Sequence, residues 1–85
     1  MFLFWRYMMI VDIEDIRTLM VEIFSPATIP DDCSDSTLGD FSEWDSLGNF
    51  NFLLAVEEFY EIRFDIEEMS EIKSIKELLE TLEKK

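Results

Sequence analysis

One serine in this chain stands where a chemist would place a reactive group. Ser46 lies within "EWDSLGNFNFLLAVEEF", residues 43–59, directly after Asp45 and at the start of a run of good helix formers. A free serine hydroxyl is a weak nucleophile, and to attack a carbonyl it needs a general base, usually His or Lys, within hydrogen-bond reach. The sequence has no histidine, and its first lysine is Lys73. Asp45 alone is too weak a base to deprotonate a serine efficiently. No catalytic residue and no enzyme activity are therefore expected, and Ser46 reads as a group that is itself modified. A helix N-terminus, with unpaired N–H groups and the positive end of the dipole, suits a phosphate ester on that hydroxyl. Beside this stands the commonest role of a serine in such a place, capping the helix.

Other chemistries are thinly represented. Cys33 is the single cysteine, so no internal disulfide and no cysteine metal site can form, which fits a reducing cytoplasm. The aspartates of "SPATIPDDCSDSTLGDFSEW", residues 25–44, invite a calcium reading. Started at Asp31, however, the loop would need Gly at Ser36 and Glu at Ser42, so no metal site is expected. Acidic residues outnumber basic ones 20 to 7, a formal charge of -13. Such a surface repels nucleic acid and anionic membranes and is complementary to a basic partner, although acidity also serves plain solubility.

The elements that must position Ser46 follow from periodicity. Eighty-five residues allow one domain with one small core. From Asp12, a suitable cap, Ile13, Ile16, Met20, Ile23 and Phe24 recur at the spacing of one buried helix stripe. Both prolines and clustered Ser, Asp and Thr make residues 25–44 a long loop. Residues 46–60 read as a second helix. "RFDIEEMSEI", residues 63–72, carries an Asp65/Glu68 capping box and a short third helix. Ser74 and Glu77 open a closing helix with Ile75, Leu78, Leu79 and Leu82 on its apolar stripe. The expected architecture is all-α.

"MFLFWRYMMIV" is apolar but short and interrupted by Arg6, and it lacks a basic n-region and a small-residue cleavage site, so neither a membrane span nor a signal peptide is expected. Met8 or Met9 is a candidate true start. Residues 1–9 read as an extension that need not belong to the core, and residues 10–85 as the domain.

The second helix carries two apolar stripes. Phe52, Leu53, Val56, Phe59 and Tyr60 form an expected core face, whereas Leu47, Phe50 and Leu54 point roughly opposite, among Asn51, Glu57 and Glu58. Carboxylates there would be costly in a small core. An exposed apolar strip ringed by acids reads as an interface, unless the N-terminal extension or the long loop folds over it.

Asp45-Ser46-Leu47, followed by a helix ending in "AVEEFYEIRF", resembles the signature of acyl carrier proteins, without a gap from about Trp44 to Leu82. The resemblance implies a four-helix bundle with a long loop between helices 1 and 2 and a short third helix. It implies 4'-phosphopantetheine, supplied by coenzyme A, on Ser46 within the Asp45-Ser46-Leu47 motif, with an acyl group held on the arm as a thioester. It makes Leu47, Phe50, Asn51, Leu54, Glu57 and Glu58 the docking face. The implied partners are a phosphopantetheinyl transferase and the basic-surfaced enzymes that load and use the acyl group. A cytoplasmic monomer, bound neither to nucleic acid nor stably to a membrane, is expected. Phe52, Leu53, Val56, Tyr60, Met69, Ile72 and Ile75 either part to shelter an acyl chain or form a plain packed core. Glu43 and Trp44 stand where the family commonly has Gly before the motif, Glu61 where it has Gly after the helix, and Gly48 where housekeeping fatty-acid carriers more often have an acid. These departures point to a specialised, free-standing carrier in fatty-acid-like, polyketide or other acyl metabolism. The alternatives are a peptidyl or aminoacyl carrier, or a carrier-like interaction module without the arm.

Overall fold

A computed structural model describes residues 11–85; the expected extension, residues 1–9, lies outside the described residues. Four helices make up more than half of the described chain: α1 (Ile13–Ile23), α2 (Ser46–Tyr60), α3 (Ile66–Glu71) and α4 (Ile75–Glu83). Among the described residues there is no strand beyond one isolated bridge between Thr37 and Ser74. The fold is a small all-α one. No helix of the described residues is long and apolar enough to cross a membrane.

Each helix starts where its local chemistry dictates. The Asp12 carboxylate accepts the Glu14 N–H at 2.9 Å, and Ser74 Oγ accepts the Glu77 N–H at 3.1 Å while Glu77 takes the Lys73 N–H at 2.9 Å. At α3 the Glu68 carboxylate reaches back to the Asp65 N–H at 2.9 Å. These caps satisfy N–H groups that a helix end otherwise leaves without a partner.

The apolar stripes converge on one core. α1 contributes Ile16, Leu19 and Met20, α2 contributes Phe52, Leu53 and Val56, and α4 contributes Ile75, Leu78 and Leu82, all buried. Each such side chain removed from water contributes roughly 1.5–3 kcal/mol before the cost of ordering the chain. α1 and α2 pack directly on each other. Phe59, expected on the core face, is 50% exposed. It lies on the flank of the stripe in the last turn of α2 and packs edge-on against Tyr60, ring centroids 4.9 Å apart.

The long loop is held from both sides. Arg17 of α1 donates to the Pro30 carbonyl at 2.8 Å and the Ile29 carbonyl at 2.7 Å. Further along, the Leu38 N–H and the Thr37 hydroxyl both bond the Lys73 carbonyl, and the Ser36 carbonyl accepts the Ile75 N–H at 3.0 Å. The loop thus caps the start of α4 with its own backbone. Cys33 lies buried in the core, where desolvation pushes its thiol pKa up, as suits an unreactive packing residue.

Candidate attachment and docking site

Ser46 is presented by a rigid platform immediately before it. Trp44 is buried, stacked on Phe24 with ring centroids 5.1 Å apart and edge-on to Phe52 at 6.1 Å, and Phe41 completes the cluster, 5.9 Å from Trp44 and 6.0 Å from Phe24. Its indole N–H donates to Asn49 Oδ1 at 3.0 Å, and Asn49 Nδ2 donates to the Ile72 carbonyl at 2.8 Å, both bonds inside the protein. One side chain on α2 therefore ties the end of the loop to the end of α3. The next two residues emerge from this anchor into solvent: Asp45 and Ser46 are both exposed.

Asp45, not Ser46, caps α2. Its backbone is extended, and its Oδ1 accepts the Gly48 N–H at 2.8 Å. Ser46 is the first helical residue, so its hydroxyl is left outside the cap. Gly48 fits this turn for a steric reason: a Cβ there would run into the Glu43 carbonyl oxygen, a backbone atom that cannot swing away. The departure at Gly48 is thus a requirement of the tight entry into α2. An exposed hydroxyl in the first turn, beside N–H groups at the positive end of a 15-residue helix, can accommodate a phosphate ester without disturbing the core.

The two stripes of α2 separate as the spacing predicts. Phe52, Leu53 and Val56 are buried, with Ile72 and Ile75 beside them, while Tyr60 and Met69 are partly buried against the same core. On the opposite side Leu47, Phe50 and Leu54 are 68%, 48% and 42% exposed, with Asn51 and Glu58 exposed around them. The long loop packs elsewhere and leaves this strip open. Neither a protein-family model, nor a characterised protein, nor a solved structure matches the chain.

Glu57 departs from a plain surface role. It is half-buried, and its Oε2 accepts the Phe64 N–H at 2.6 Å, while its carbonyl accepts the Ile62 N–H at 3.0 Å. Both bonds close the turn after α2, in which Glu61 adopts a left-handed conformation (φ 56°, ψ 47°). This is the usual glycine position of a helix C-terminus. Leu54, Glu57, Glu58, Glu61, Ile62 and Arg63 line a shallow groove open to solvent along this end of the helix.

Trp44 and Asn49 are the positioning residues that periodicity missed. Asn49 sits on the buried side of α2, three residues before Phe52 and four before Leu53, and a lone polar residue at a core register is the signal that could have found it.

Proposed function

We propose that this protein is a free-standing, specialised acyl carrier with the four-helix bundle of that family, acting in the cytoplasm and catalysing no reaction itself. Ser46 carries 4'-phosphopantetheine transferred from coenzyme A by a phosphopantetheinyl transferase, and the thiol of that group supplies a thioester link to the acyl cargo. The observation that carries this reading is the placing of Ser46: a solvent-facing hydroxyl at the first helical position, relieved of capping by Asp45 and anchored through Trp44. Leu47 and Phe50 follow it on the same exposed strip, with Leu54, Asn51 and Glu58 further along. Enzymes with basic surfaces that load and use the acyl group fit such a strip, because rim charges raise encounter rates while a small apolar contact keeps docking reversible. A flexible arm then gives its cargo a high effective concentration at the partner's site. The buried stripe around Phe52, Leu53 and Val56 acts as core.

The test is intact-protein mass after incubation with coenzyme A and a broad-specificity phosphopantetheinyl transferase. A gain of one phosphopantetheinyl group is expected, and none for Ser46→Ala. Because Asp45 holds the cap, Ser46→Ala is expected to change stability by less than about 0.5 kcal/mol, as for a surface substitution away from special features. Modification of the Ser46→Ala protein, or none of the unmutated one with its helices intact, defeats the reading, and the second result leaves a carrier-like interaction module.

A further inference from the structure

Ser46 opens a face of α2 that continues through Asn49, Leu53 and Glu57, three, seven and eleven residues further on. The two polar side chains of that row after Ser46 turn inward to bond backbone. Asn49 is buried, and its Nδ2 donates to the Ile72 carbonyl at 2.8 Å. Glu57 is half-buried, and its Oε2 accepts the Phe64 N–H at 2.6 Å. Phe64 and Ile72 are the buried anchors on either side of α3, a helix that buries no residue of its own. Both ends of α3 are therefore strapped to α2, and on the face that starts at Ser46.

Between the straps the seam is filled. Leu53, Val56 and Ile75 are 0% exposed, so no water-sized space adjoins them. A hydrocarbon chain entering there has to displace packed side chains, and a core already at crystal-like density resists added methylenes. It also has to part Asn49 from its neighbours, leaving the Ile72 carbonyl and the Trp44 indole N–H buried without partners. On the outer side of α2, Leu47, Phe50 and Leu54 are exposed, so a chain laid along them stays in contact with water.

We infer that Asn49 and Glu57 close the α2–α3 seam to whatever Ser46 carries, and that the cargo is an acyl group short or polar enough to stay in water. The cargo class rests on the carrier reading, whereas the closed seam does not. A short or polar acyl group costs little to expose, while a long hydrocarbon left outside the core would draw loaded carriers together. Partner enzymes then reach the cargo without any opening of the helices.

The test attaches a chain at this position without coenzyme A or a transferase. Ser46→Cys places a thiol in solvent, while Cys33 is buried with its pKa pushed up and is expected to stay unalkylated. Iodoacetamides bearing an ethyl or a decyl spacer that ends in a dansyl group are coupled to it, and intact mass with a peptide digest confirms one label at the introduced thiol. The expected result is a decyl probe whose emission and acrylamide quenching equal those of the ethyl probe and of the same reagent on glutathione, with one unfolding midpoint for both spacers. Added to the Ser46→Cys chain, Glu57→Ala and, separately, Asn49→Ala are expected to shift the decyl emission to the blue and to cut its quenching several-fold, with circular dichroism confirming that the helices persist. A decyl probe shielded while both straps are intact overturns the inference, and this comparison needs no strap variant. So does a decyl probe that stays exposed in the folded Glu57→Ala and Asn49→Ala chains, because the straps are then not what closes the seam. Failure of the unmutated protein to take up phosphopantetheine, read separately by mass, defeats the carrier reading and leaves the result for the seam as it stands.

Discussion

Asn49→Ala is the most exacting test of how Ser46 is positioned. The substitution removes an acceptor from the Trp44 indole N–H and a donor from the Ile72 carbonyl, bonds of 3.0 and 2.8 Å. Both partners stay where they are: Trp44 is 1% exposed and Ile72 3%, so neither regains water without opening the core. A buried polar group left without a partner costs about 1–3 kcal/mol. Two of them, partly relieved by relaxation, give an expected loss of about 3 kcal/mol, a large share of the roughly 5–15 kcal/mol available to a domain. With a urea m-value near 1 kcal/mol/M for a chain this small, the midpoint falls by about 3 M.

The assay is urea unfolding followed by circular dichroism, run as a double-mutant cycle with Trp44→Phe, which removes the indole N–H but keeps a ring in the aromatic cluster. If the network is as described, Asn49→Ala costs less in the Trp44→Phe background, with a coupling of about 1 kcal/mol or more. A loss under about 0.5 kcal/mol for Asn49→Ala at an unchanged m-value, or strict additivity with Trp44→Phe, would refute the reasoning, since the loop would then be held by packing alone.

Glu61→Gly is expected to stabilise the fold by about 1 kcal/mol, because Glu61 occupies a left-handed conformation that only glycine adopts without steric cost; thermal unfolding should rise by about 4–8 °C, and no rise would mean that the turn relaxes. Glu68 is held below the ordinary carboxylate value of 4.5 first by the Lys85 ammonium, which donates at 2.8 Å, and then by the Asp65 N–H. A depressed folded pKa means that the folded state binds fewer protons than the unfolded one, so this contribution is fully present above about pH 4.5 and lost as pH falls through the lower folded value. The stability gap between the unmutated protein and Glu68→Gln should therefore be constant near neutrality and shrink in acid, and a gap independent of pH would exclude the ion pair as its source. Glu58→Lys, at an exposed position, is expected to slow loading of Ser46 by a basic transferase and to weaken the salt dependence of that rate, whereas an unchanged rate would move the docking face away from α2. Glu57→Lys is the poorer test, since it also breaks the bond to the Phe64 N–H.

What the sequence disclosed and what it hid divide along the range of the interactions. α1, α3 and α4 were legible because their caps and stripes are local: Asp12, Asp65 and Ser74 each bond within three residues, and Ile16 with Met20, or Ile75 with Leu78, lie one turn apart. The course of the long loop was not legible, because Arg17 fixes it through carbonyls of Ile29 and Pro30 and the start of α4 fixes it through Ser36 and Lys73. Backbone acceptors carry no side-chain signature. Helical angle alone puts Phe59 on the core face, and angle does not say whether a neighbour reaches the last turn, where Phe59 is half-exposed. The role of Trp44 is not legible locally either, because it rests on Asn49, on Phe41 of its own loop and on Phe24 and Phe52 from two other segments.

The two glycine departures of this chain have opposite consequences, and together they say where its constraints lie. At Gly48 a side chain is excluded by the Glu43 carbonyl, so the entry into α2 that turns Ser46 outward admits little variation. At Glu61 the strained backbone is kept although glycine would relieve it. The Glu61 carboxylate lines the groove beside Glu57 and Glu58, so Glu61→Gly would raise stability while removing a charge from that face. If the exposed strip is a docking face, a residue that carries a conformational cost beside it trades stability against a docking charge. Its expected signature is a variant that melts higher and yet holds a basic partner less well.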